Sequence, residues 1–219
     1  MFIGHYAVAF AAKKSAPRTS LGTLFFAAQF IDLLWPIFLL LGFEHVRIDP
    51  GNTAFTPLDF YDYPISHSLL TVLGWALAFG LIYFALRRHA KAAVILGLCV
   101  LSHWILDLIT HRPDLPLAPG AQIYGGLGLW NSVAATVLLE GALFALAVLF
   151  YARTTKATDR TGRYAFWGFV VFSVLLYVGN VLGRENPPPN TEALALFGLS
   201  QWLIVPWGYW IDRHRTVSA

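Results

Sequence analysis

Residues 92–110 read AAVILGLCVLSHWILDLIT. The stretch holds no Lys or Arg and is long enough to cross the hydrocarbon core of a bilayer, which takes about 20 mainly apolar residues. Its second half nevertheless carries His103 and Asp107. In a helix these two stand at i and i+4, on one face and within reach of one ion. An ionised carboxylate at bilayer depth is costly and persists only if it is neutralised, paired or bound to a cation. This stretch has no basic side chain to pair with Asp107, so it reads as a spanning helix that presents ligands.

Outward from it the same pattern repeats. Apolar stretches without Lys or Arg lie near 21–41, 67–86, 129–151, 164–183 and 194–211, and three of them also hold ionisable groups, Asp32, His67 and Glu140. Across the 219 residues 57% are hydrophobic and only 12% charged, against roughly 25% charged in soluble domains. The expectation is an all-α polytopic membrane helix bundle of about six spans, forming one domain over 1–219. The single cysteine, Cys99, lies within a span, which rules out a disulfide framework. Residues 1–12 are apolar but too short to span, since twelve helical residues rise only about 18 Å. With no basic segment before its apolar run, this start is read as an N-terminal half-helix rather than a signal peptide. Pro17 and Ser20 suit the turn that follows it.

Basic residues set the expected orientation. Lys13, Lys14, Arg18, Arg87, Arg88, Lys91, Arg153, Lys156, Arg160, Arg163, Arg213 and Arg215 fall in alternate connections and at the C-terminus, whereas the other connections hold only Arg47, Arg112 and Arg184. The positive-inside rule makes the first group cytoplasmic. The formal charge of +3 therefore reflects topology and gives no reason to expect nucleic-acid binding. The predicted location is a bacterial inner membrane, with the N-terminal turn and C-terminus inside.

With that orientation the ionisable residues share one depth. Asp32 lies about 18 Å beyond Ser20 and His5 about 12 Å before Lys13, both measured from the cytoplasmic face. His67 begins its span at the outer side, His103 and Asp107 fall in the outer half of theirs, and His111 extends their face by a turn. Imidazole nitrogens with carboxylate oxygens form the ligand set of zinc, with manganese or iron as further options. The expected ligands are His5, Asp32, His67, His103, Asp107 and His111, around one or two divalent ions. Glu140, with Ser132 and Thr136 on its face, is a candidate catalytic base, although the two hydroxyls are also placed to bond helix carbonyls. Asp62, in the outer loop 42–66, is a second catalytic or ligand-orienting candidate. Trp35, Trp130, Trp202, Trp207 and Trp210 cluster near span ends, as an aromatic belt requires.

Gly4-His5, Phe30-Ile31-Asp32, Ser66-His67-Ser68-Leu69-Leu70 and Ser102 to Thr110 together resemble the metal-dependent hydrolases of bacterial inner membranes, the LexA-binding inner-membrane-associated family. The resemblance covers roughly residues 1–111. Where that family carries a second histidine, five residues before its His-Ser pair, this chain has Asp62. The order of ligands is also distantly similar to that of zinc-dependent phospholipase C. That similarity implies one zinc on Asp32, His67, His103 and Asp107, with His5 and Asp107 contributing to a neighbouring ion.

The function expected from this is a membrane-embedded hydrolase. Water activated by the metal would attack a phosphoester or ester of an amphipathic small molecule or lipid at the outer leaflet, with the lipid bilayer as the surrounding partner. The alternative is a divalent-cation or proton transporter using the same cluster. A transporter requires polar residues continuing towards the cytoplasm, and the inner halves of the spans are apolar.

Overall fold

Backbone that crosses hydrocarbon must satisfy its own hydrogen bonds, and a single segment does so only as a helix. The computed structural model, which describes residues 1–218, folds accordingly. In chain order its helices are α1 (Ile3–Ser15), α2 (Leu21–Ala28), α3 (Phe30–Leu40), α4 (Pro64–His67), α5 (Leu69–Arg87), α6 (Ala90–Thr110), α7 (Val133–Thr154), α8 (Arg160–Gly183), α9 (Thr191–Leu199) and α10 (Ile204–Arg213). Among the described residues, α5, α6, α7, α8 and the run Thr191–Arg213 are each long and apolar enough to cross a membrane, and α2 with α3 forms a sixth, bent span. The chain is an all-α, membrane-embedded bundle.

Polar caps mark where the spans begin. Ser20 accepts from Gly22 N at the start of α2, His89 from Ala92 N at α6, Ser132 from Ala135 N at α7, Asp159 from Gly162 N at α8, and Asn190 from Ala193 N at α9. Each supplies an acceptor to one of the N–H groups that a helix start leaves unpaired. The second span starts two residues later than expected. His67 ends the separate turn α4, and Ser68, in extended conformation, caps α5. The first long span is broken at Gln29, where α2 and α3 meet at 56°.

As expected of a half-helix, α1 is covered almost all round, with Ile3, Gly4, His5, Tyr6, Ala7, Ala9, Phe10 and Lys13 buried. It packs against α2, α6 and α7. At the opposite edge, α5 pairs with α6, and the two approach closely because each places a glycine against the other's backbone. A Cβ on Gly80 would stand 3.0 Å from the Ala93 carbonyl oxygen, and one on Gly97 3.0 Å from that of Ala76. Close contact of this kind is how helices associate where lipid removes the hydrophobic drive. Leu70, Leu73, Leu77 and Leu81 of α5 remain exposed, as a face turned to lipid must be.

Short ribbons close the ends of the bundle. In the loop 42–66, β1 (His45–Ile48) pairs antiparallel with β2 (Leu58–Asp62), and after α6 β3 (Leu115–Pro116) pairs with β4 (Tyr124–Gly125). At the other end β5 (Thr155–Ala157) pairs with β6 (Arg215–Val217). There the Arg215 guanidinium lies over the Phe166 and Tyr151 rings, 4.7 and 5.4 Å from their centroids, and donates to the Thr155 hydroxyl. The tryptophans do not all form a belt. Trp35 and Trp130 are buried, Trp35 edge-on to His67 and Trp130 against His111 at 4.3 Å.

Candidate metal centre

Five of the six residues expected to be ligands converge, each delivered by a different local device. His5 comes from the first turn of α1, Asp32 from the first turn of α3 after the break, His67 from the end of α4, and His103 with Asp107 from one face of α6. His103 Nε2 lies 3.5 Å from Asp32 Oδ1 and 3.3 Å from Asp107 Oδ2. His67 Nε2 lies 3.5 Å from Asp32 Oδ1 and 3.9 Å from Asp107 Oδ2.

These separations are compatible with ligand spacing around a shared ion. Charge-assisted N–H···O bonds run about 2.7–2.9 Å, and all four distances are longer. Around a tetrahedral zinc with bonds of about 2.0–2.2 Å, neighbouring ligand atoms stand about 3.3–3.6 Å apart. Three of the four distances fall in that range and the fourth is slightly beyond it. The His103 Nε2 atom is buried without any hydrogen-bond partner, which is rare for a group whose desolvation costs free energy.

The proton positions follow from the other ring nitrogens. His103 Nδ1 is 2.9 Å from the Ala28 carbonyl oxygen, an acceptor only, so Nδ1 carries the proton and Nε2 offers a lone pair to the cluster. The Ala28 carbonyl is the last of α2 and is left over where the helix breaks. His67 Nδ1 is 2.7 Å from Ser66 Oγ, whose own proton goes to Glu44 Oε2 at 2.6 Å. In their neutral form both imidazoles turn lone pairs towards two carboxylates. Such a group at low dielectric needs positive charge nearby, and the Met1 α-amino group supplies part of it at Asp107 Oδ1. The potential ligands form two triads that share His103, Asp32 with His67 and His103, and His5 with His103 and Asp107, each with its ligand atoms within 4.8 Å of one another, a donor chemistry that fits a divalent ion.

His5 forms a second edge of the cluster. Its ring stacks on His103, with centroids 3.6 Å apart and planes within 5°. Its Nε2 stands 3.2 Å from Asp107 Oδ1 yet out of line for a hydrogen bond, so it too is unpartnered. The Met1 α-amino group also contacts Asp107 Oδ1. Asp107 thus faces His5 with one oxygen and His67 and His103 with the other.

The remaining site residues lie elsewhere. His111 is buried just beyond α6, with Nδ1 3.0 Å from Asp114 Oδ1 and 3.3 Å from the Tyr63 hydroxyl. It belongs to a separate hydrogen-bonded group with Tyr63 and Asp114 rather than to either cluster of potential ligands. Burial pushes the His111 imidazole down, against the pull of Asp114, and pushes the Tyr63 phenol up, so both are neutral near pH 7. Asp62 sits on β2, half-exposed, and pairs with His45 Nδ1 at 2.8 Å. It neither contacts nor orients a ligand. Glu140 is fully buried and Oε2 accepts from the backbone of Phe2 at 2.7 Å and Gly4 at 3.4 Å. Through Oε2 it caps the start of α1, while its Oε1 is buried without a hydrogen-bond partner. Thr136 bonds the Ser132 and Leu129 carbonyls, as its helical position suggested.

Sequence reading missed Glu44, Ser66 as a link, and the carbonyl exposed at the Gln29 break. The one local signal was Ser66 directly preceding His67; Glu44, in a charged loop, resembles any solvated acid. No family model, curated protein or solved structure matches this chain.

Proposed function

We propose that the chain is a metal-dependent hydrolase of a bacterial inner membrane, cleaving a phosphoester or ester of an amphipathic, lipid-like substrate near the outer leaflet. The observation that supports the reading is the pair of buried triads, Asp32–His67–His103 and His5–His103–Asp107, each close enough to hold a divalent ion. A zinc, manganese or iron ion held there would supply Lewis acidity, lowering the pKa of water towards about 7 and polarising the scissile group.

The chain's own residues perform the rest. Asp32, with 22% of its side chain exposed against 2% for Asp107, is the more open of the two carboxylates. His103 and His67 are held rigidly through Nδ1, so their Nε2 atoms stay aimed without reorganisation as charge develops. His5, stacked on His103, offers a further nitrogen beside Asp107 Oδ1 for a neighbouring ion. Towards the Lys13 end of α1, Phe10 packs on Phe25, Phe144, Phe166 and Phe169, all buried. This aromatic plug supports a closed site over a cation or proton passage, the alternative use of the same residues. The likeness of the motifs to the inner-membrane hydrolase family points the same way.

The test is hydrolysis of a panel of phosphoester and ester lipids by the purified protein in detergent. Cleavage that stops on chelation, returns with zinc or manganese, and is lost in Asp32→Ala supports the reading. Metal flux into sealed vesicles, with no cleavage of any ester, overturns it in favour of transport.

A further inference from the structure

A buried carboxylate outside the ligand set governs one of the ligands. Glu44 is 1% exposed and lies at the root of the β1–β2 ribbon. Its Oε1 accepts from the backbone N–H of Ile65 and of Ser66, both at 2.7 Å, and its Oε2 accepts from Ser66 Oγ at 2.6 Å. Every nearby donor is thus turned towards Glu44. The Ser66 hydroxyl, with its proton committed to Oε2, has only lone pairs left for His67 Nδ1 at 2.7 Å.

We infer that Glu44 is a positioning residue that fixes the His67 tautomer through Ser66, so that Nε2 is the metal-binding nitrogen. This rests on the metal reading above and deepens it. The chain carboxylate → hydroxyl → imidazole orients the ring, and its negative end raises the basicity of Nε2, the role that outer carboxylates play behind metal-bound histidines. Its direction depends on Glu44 being an acceptor at both oxygens. In Glu44→Gln the amide oxygen is held by the Ile65 and Ser66 N–H groups, which tolerate no donor. The amide NH2 then faces Ser66 Oγ and drives the hydroxyl proton round to His67 Nδ1. The ring must answer by moving its own proton to Nε2, the nitrogen the ion needs. Thus the isosteric variant keeps the cap on α4 and reverses the relay, whereas Ser66→Ala merely cuts it.

The experiment measures Zn2+ and Co2+ affinity of the full chain in detergent, with the Co2+ ligand-field spectrum and metal-free thermal stability recorded alongside. Glu44→Gln is expected to weaken both ions about 10–100-fold, the scale of such outer partners, and to change the Co2+ spectrum while the metal-free melting temperature holds. Ser66→Ala should weaken binding less, Ser66→Thr should bind as the wild type does, and adding Glu44→Gln to Ser66→Ala should cost nothing more. Affinity within twofold of wild type in Glu44→Gln overturns the inference, as does a full Glu44→Gln effect in the Ser66→Ala background. Should Glu44→Gln fail to fold, the Ser66 pair decides, and equal affinity in Ser66→Ala and wild type overturns the relay. A wild-type protein that binds neither ion refutes the metal centre itself, a distinct failure.

Discussion

His103→Gln removes the atom common to both potential ligand clusters while roughly preserving side-chain volume. His103 belongs to the His5–His103–Asp107 and Asp32–His67–His103 groups and is fully buried. An ion that binds only the folded chain stabilises it by RT ln(1 + [L]/Kd), about 2.7 kcal/mol when free zinc stands at 100 times Kd. For a chain of this length about 1 kcal/mol moves Tm by about 2–4 °C, so the wild type should gain about 5–11 °C between chelator and zinc. The variant should gain about 1 °C or less, because both triads lose the ligand they share. Its melting temperature in chelator should also fall, by the equivalent of about 1–3 kcal/mol of stability, since the glutamine amide replaces Nε2 rather than Nδ1 and leaves the Ala28 carbonyl without its donor. The assay is thermal unfolding followed by tryptophan fluorescence, with metal content of the purified protein measured in parallel. If wild type and variant respond equally to zinc, or if zinc moves neither, the four His–Asp separations report a metal-free polar cluster and the reasoning fails.

Two further outcomes follow. Glu140→Ala strips the acceptor from the Phe2 and Gly4 N–H groups and should cost about 1–3 kcal/mol with metal stoichiometry intact; loss of the metal instead would make Glu140 a ligand. Cysteines at Asn52 and Asn190 should react with impermeant thiol reagents on intact cells while one at Thr158 stays unlabelled, and Cys99, buried in α6, gives no background; the reverse pattern would invert the proposed orientation.

The fold class was legible in the sequence because its cause is local. A long apolar run with no charge admits one backbone solution in lipid, and the polar residues that end it are caps, so spans could be placed within a few residues. The shared depth of His5, Asp32, His67, His103 and Asp107 was legible for the same reason, since rise per residue along a helix is fixed. Rotation about each helix axis, and which nitrogen of a ring faces inward, were not. Those depend on the 56° break at Gln29, on Ser68 separating His67 from α5, and on partners distant in sequence. Ala28 meets His103, Glu44 meets Ser66, and Glu140 meets the start of α1. Asp62 and His111 had the chemistry and the neighbourhood of ligands, and packing turned them to His45 and Asp114 instead. Composition and periodicity determined that polar side chains would sit at one level of a membrane bundle. Only the tertiary contacts, set by the packing of whole helices, decided which of them share a centre and which way their protons point.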